Sequence, residues 1–114
     1  MIYEYMNTQT PAIDRIKQQV TENPIIIYMK GSPDMPMCGF SSKAVEALKQ
    51  CGHEFAYVNI ILDQEIMQEL PNFANWPTFP QLYIKGELIG GCDITLDLFN
   101  SGELKKMIDA AVKS

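Results

Sequence analysis

The stretch that decides the fold runs from Ile25 to Ser41. It reads Ile25-Ile26-Ile27-Tyr28-Met29, then Lys30-Gly31-Ser32-Pro33-Asp34-Met35-Pro36-Met37-Cys38-Gly39-Phe40-Ser41. The first five residues form an unbroken apolar run between Pro24 and Gly31, the pattern of a strand covered by helices on both faces. Pro33 and Pro36 restrict the loop Gly31 to Met37 without building a regular element. Ala44, Val45 and Leu48 then share one face, which predicts a helix from about Phe40 to Gln50 that stops at Gly52. Cys38 falls where the loop passes into the first turn of that helix. Free N–H groups and the positive end of the helix dipole stabilise a thiolate there, below the ordinary thiol pKa of about 8.5. Lys30, a cation at the end of the strand, adds to the field.

The pattern extends outward in both directions. Ile13, Ile16 and Val20 recur at helical spacing, predicting an amphipathic helix over Pro11 to Glu22 that Asn23-Pro24 ends. Phe55 to Ile60 reads as a second strand, parallel to the first if the intervening helix makes a right-handed crossover. Ile66, Leu70 and Phe73 mark a third helix ending before Asn75. Trp76-Pro77-Thr78-Phe79-Pro80 is too proline-dense for a helix. Gln81–Ile84 and Leu88–Ile89 read as a hairpin turning at Lys85-Gly86-Glu87. Gly90-Gly91 permits close backbone approach, and Cys92-Asp93 opens the next helix with Asp93 as its expected N-cap. A helix start beside paired glycines suits an anion. Leu104, Met107, Ile108 and Ala111 form the apolar stripe of a last helix. No repeat or linker interrupts residues 11–114, which read as one domain.

A sulfur anion at position 38 can attack a disulfide or hold a soft metal. A second cysteine three residues on would close an internal disulfide, but Ser41 stands there. Any mixed disulfide on Cys38 must therefore be resolved by another thiol. Cys51, near the apolar face of its helix, reads as structural. Cys92 is either a resolving thiol or a small residue at a helix start. His53, the only histidine, has no acidic or cysteine neighbour at ligand spacing and reads as a surface residue.

Cys38-Gly39-Phe40-Ser41, preceded by Lys30-Gly31, resembles the signature of the monothiol glutaredoxins. Trp76-Pro77-Thr78-Phe79-Pro80-Gln81 and Gly90-Gly91-Cys92-Asp93 extend the resemblance, which runs from about Ile13 to Val112. It implies an α/β, thioredoxin-like fold with a four-stranded mixed sheet flanked by helices. It implies Cys38 as the reacting thiol and as a ligand of a [2Fe–2S] cluster bridging a homodimer. It further implies glutathione held by Lys30, Gly39, Phe40, Thr78, Phe79, Pro80, Gly91, Cys92 and Asp93. Pro80 would follow a cis bond that turns the main chain of Phe79 towards Cys38, to pair with glutathione as a short strand would. Trp76 and Phe79 also suit core packing. The family's expected role is cluster delivery to apo-proteins, with a BolA-like protein able to replace one protomer. The alternative is a weak glutathione-dependent oxidoreductase acting by the monothiol route. Met67 is the main departure: an arginine commonly stands there and touches the glycine carboxylate of glutathione. Weaker affinity is expected unless Lys30 or Gln64 compensates.

The bulk properties set outer bounds. A chain of 114 residues with net charge −5 suits a single soluble domain and argues against generic binding to nucleic acid or an anionic membrane. Three cysteines form no disulfide framework, so a reducing compartment, the cytoplasm, is expected. Residues 1–10 show no basic segment followed by an apolar run and no arginine, and so do not read as a secretory or mitochondrial leader. They read as a poorly ordered extension, with Met6 an alternative start.

Overall fold

The strand Ile25–Met29 (β1) is buried at all five positions in the computed structural model. The structure describes residues 11–113, so the expectations for residues 1–10 and for a start at Met6 fall outside it. Alternation along β1 divides the interior in two. Ile25, Ile27 and Met29 face a core with Ala44, Val45, Leu48, Leu104 and Ile108. Ile26 and Tyr28 face the other core with Ile16, Val20, Ile66 and Leu70. An uninterrupted apolar strand is what a two-sided sheet needs at its centre.

The helix Ala12–Glu22 (α1) precedes β1, and the helix Gly39–Gln50 (α2) carries the chain to the strand Ala56–Asn59 (β2), which pairs parallel to β1. The helix Gln64–Ala74 (α3) then leads to the strand Gln81–Ile84 (β3), antiparallel to β1. The strand Glu87–Gly90 (β4) closes a four-stranded mixed sheet in the order β2-β1-β3-β4. The helices Cys92–Ser101 (α4) and Glu103–Lys113 (α5) complete the chain. Leu104, Ile108 and Ala111 pack α5 against α2 and one face of the sheet, while α1 and α3 cover the other. The predicted α/β sheet with flanking helices is the observed one.

Three local expectations need correction. The hairpin turn is only Lys85-Gly86, both at positive φ (53° and 81°), so Glu87 belongs to β4. A two-residue turn with both central residues left-handed matches strand twist. The second strand is shorter than Phe55–Ile60, although both flanking residues are buried. His53 is not a bare surface residue: its Nε2 lies 2.7 Å from Oδ1 of Asp109 on α5. Lys105 donates to the other oxygen of Asp109 at 3.0 Å. Lys105, then His53, hold the Asp109 carboxyl below its usual range.

A buried ion pair sets the start of α3. Arg15, only 3 % exposed, donates to both carboxylate oxygens of Asp63, and Asp63 Oδ1 accepts from the N–H of Ile66 as the N-cap. Asp63 therefore closes α3 and neutralises a guanidinium under it. Replacing Asp63 with alanine removes both roles at once. The expected loss is about 3–5 kcal/mol in urea unfolding; a loss under about 1 kcal/mol contradicts this assignment.

Candidate functional site

The loop after β1 is a closed structure built on Gly31. Gly31 bridges to Pro36, its N–H donates to Asn59 Oδ1 at 3.0 Å, and Met37 N–H donates to Lys30 O at 2.9 Å. Its φ is +91°, and a Cβ there would lie 2.5 Å from the Met35 carbonyl oxygen and 2.6 Å from the Met37 nitrogen. Only glycine fits. Lys49 on α2 ties the far side of the loop by donating to Pro33 O at 3.0 Å. The loop thus delivers Cys38 in a fixed place, as the extended N-cap residue of α2.

The Cys38 thiol is pulled below its ordinary pKa, first by the main-chain N–H of Ser41. Partial burial opposes this, while the N–H of Phe40, the charge of Lys30 and the Ser41 hydroxyl all act with it. Ser41 is fully buried, and its Oγ accepts from the Lys30 N–H at 3.2 Å. With that lone pair engaged, its hydroxyl hydrogen is free to point at the sulfur. The position that would carry a second thiol in a two-cysteine site is a hydrogen-bond donor here.

Cys38 opens into a cavity of about 790 Å³. Lys30 and Phe40 line it beside Cys38, Met67 and Pro71 form the α3 wall, and Trp76 to Phe79 form the loop before β3. Gly91 to Ile94, at the start of α4, complete it. Phe79–Pro80 is cis, as the family resemblance implied. Gly90 and Gly91 let α4 begin against this loop. A Cβ on Gly90 would meet Ile94 Cδ1 at 2.7 Å, and one on Gly91 would lie 3.3 Å from Pro80 O. Gly91 takes the extended N-cap conformation, so α4 starts at Cys92 and Asp93 sits inside its first turn. This corrects the expectation of Asp93 as the N-cap. Its carboxylate, not engaged as a cap, is exposed on the cavity wall.

Of the expected site residues, the structure gathers Lys30, Cys38, Phe40, Thr78, Phe79, Gly91, Cys92 and Asp93 around this cavity. Gly39 opens α2 on an exposed side where a Cβ would meet nothing within 4 Å, and Pro80 is buried at the entry to β3. Trp76 proves to belong to the wall, and its Nε1 is buried without a partner among the described residues. Pro71 and Ile94 were not anticipated, because their side chains reach the cavity only through helix packing. Gln64 lies exposed on α3 and is not part of the wall, which leaves Lys30 as the one lining cation among the described residues. Cys92 is buried beside Cys38, and burial, then the Asp93 charge, push its thiol up. Cys51 is buried in the core and also pushed up by burial.

A thioredoxin-like fold with one thiol of lowered pKa at a helix start and a cis-proline loop facing it defines a single-thiol member of the thioredoxin-fold class. The Glutaredoxin family model matches residues 25–89. Glutaredoxin 4 of Haemophilus ducreyi is 62% identical over 96 residues, spanning 84% of this chain and 90% of that one. Glutaredoxin 4 of Escherichia coli strain K12 is 56% identical over 96 residues, spanning 84% of each. Among solved structures, reduced apo GrxS14 of poplar superposes with a TM-score of 0.75 at 41% identity, covering 90% of this chain and 94% of that one. A monomeric truncated mutant of Trypanosoma brucei 1-C-Grx1 gives 0.79 at 31% identity, covering 89% and 91%. The chain belongs to the monothiol glutaredoxin family.

Replacing Ser41 with alanine removes the hydroxyl but keeps the main-chain N–H. The pH midpoint for iodoacetamide alkylation of Cys38, followed on its peptide by mass spectrometry, is expected below that of a free cysteine thiol in the natural protein. It is expected to move up in Ser41→Ala. An unmoved midpoint would show that the hydroxyl does not face the sulfur.

Proposed function

We propose that this protein binds glutathione in the Cys38 cavity and, as a homodimer, carries a bridging [2Fe–2S] cluster that it hands to apo-proteins in iron–sulfur assembly. The observation that carries this reading is the lone, outward-facing, acidified thiol of Cys38. A [2Fe–2S] cluster takes four thiolates. One chain offers one: Cys51 and Cys92 are buried with raised pKa values. Among the described residues no three His, Cys, Asp or Glu side chains gather as a metal site. Two chains and two glutathione molecules supply the four, and a ligand shared with a small thiol leaves the cargo exchangeable.

The cavity suits glutathione by its donor set. Lys30 offers a cation for a carboxylate. The main chain of Phe79 has no main-chain partner among the described residues and is open to pair with a peptide. The N-terminus of α4 offers N–H groups for the γ-glutamyl carboxylate, with Asp93 beside it for the ammonium. A BolA-like protein in place of one protomer, and apo iron–sulfur proteins as recipients, are the partners this reading supplies. Three unpaired cysteines suit a reducing compartment such as the cytoplasm. Disulfide reduction is the weaker reading: Cys92, the one other thiol in the cavity, is buried with its pKa pushed up, which leaves Cys38 only the monothiol route resolved by free glutathione.

Anaerobic reconstitution with iron, sulfide and glutathione tests the proposal. The expected result is a glutathione-dependent [2Fe–2S] absorption and circular dichroism spectrum, eluting with a dimer, absent in Cys38→Ser and retained in Cys92→Ser. A colourless monomer that reduces glutathionylated substrates would overturn it. Met67→Arg adds a second cation to the α3 wall and is expected to lower the glutathione needed for half-maximal assembly severalfold, on the order of 1 kcal/mol. No change would show that this wall does not face a ligand carboxylate.

A further inference from the structure

We propose that Gln81 is a positioning residue that aims the Phe79 N–H into the cavity. This rests on the reading of that cavity as a glutathione site. Gln81 is fully buried at the first position of β3, yet its side chain spends its hydrogen bonds on the loop before it. Its Nε2 donates to Trp76 O at 3.0 Å and to Thr78 O at 3.2 Å. Its Oε1 accepts from the Tyr83 hydroxyl at 3.1 Å. Burial pushes that hydroxyl up to about 12, so it stays a donor. The amide orientation follows from its partners: two carbonyls need the NH₂ end, and a hydroxyl hydrogen needs the oxygen.

The Thr78 carbonyl and the Phe79 N–H belong to one peptide plane. In a trans peptide these two groups point in opposite directions. Holding Thr78 O inward, against Gln81, therefore turns the Phe79 N–H outward, on the side where Thr78 and Phe79 line the cavity. That N–H has no main-chain partner among the described residues. A strand-like pairing with a ligand main chain needs this donor fixed before the ligand arrives, and Gln81 fixes it without touching the ligand. The sequence places a polar residue where an all-buried strand needs an apolar one, and the loop carbonyls explain it.

The test compares two mixed disulfides. The Cys38 thiolate attacks glutathione disulfide, forming a Cys38–glutathione bond and releasing one glutathione thiolate. It attacks hydroxyethyl disulfide in the same way, but that adduct has no peptide to pair with Phe79. Equilibrium constants for both adducts are read by mass spectrometry on the natural chain, Gln81→Met and Gln81→Glu. The natural chain is expected to prefer glutathione. Gln81→Met is expected to lose roughly fivefold to tenfold of that preference, the worth of one hydrogen bond, with the hydroxyethyl adduct unchanged. Gln81→Glu can donate only when protonated, so its preference is expected to be low at pH 8 and to recover towards pH 6. The ratio of the two adducts cancels the titration of Cys38 itself.

Full preference in Gln81→Met, equal loss of both adducts, or a pH-independent Gln81→Glu would overturn the assignment while leaving the glutathione reading intact. Should Gln81→Met fail to fold, the pH profile of Gln81→Glu decides. Absence of any glutathione preference in the natural chain would overturn the glutathione reading itself, and this inference with it.

Discussion

The site depends on a sulfur held at the open end of a helix. The N–H groups of Ser41 and Phe40 cannot find partners inside α2, and they meet Cys38 instead. This works only because β1 stops where it does and because Gly31 folds the loop back tightly enough to place residue 38 at the N-cap. A side chain at position 31 would collide with the loop's own backbone. The chemistry of the thiol is thus set by main-chain geometry, and the apolar strand behind it supplies the rigid base.

Around that sulfur the cavity is assembled from four separate pieces of chain, each stabilised in its own way. The loop after β1 is tied to Asn59 and Lys49. The start of α3 is held by Asp63 over the buried guanidinium of Arg15. The loop before β3 is held by Gln81, and the start of α4 by two glycines that admit it against Pro80. The resulting wall carries one cation, Lys30, and one carboxylate, Asp93, and is otherwise largely apolar. In the proposed glutathione reading, with Met67 in place of an arginine, recognition of a ligand carboxylate would fall to Lys30 and the N-terminus of α4.

Much of this was legible in the chain because its signals are local. The run Ile25–Met29, the spacing of Ala44, Val45 and Leu48, and the glycines at 90 and 91 each declare an element within a few residues. Eight expected site residues from the three motifs line one cavity. What stayed hidden depends on partners far away in sequence. Arg15 and Asp63 are 48 residues apart and His53 and Asp109 are 56 apart, so neither pair leaves a periodic trace. Gln81 ends a recognised motif, but its purpose appears only when the Thr78 carbonyl is seen to accept from it. Asp93 resembles a cap by composition; the extended conformation open to Gly91 moved the helix start forward and released its carboxylate to the cavity.

In the proposed function one chain contributes one sulfur and assembly supplies the rest. Native mass spectrometry of the reconstituted protein tests this most directly, because it counts the components of a single particle. The expected particle holds two chains, two glutathione molecules and one [2Fe–2S] unit. A cluster carried by one chain without glutathione would contradict the proposal, as would a dimer whose cluster survives the loss of Cys38.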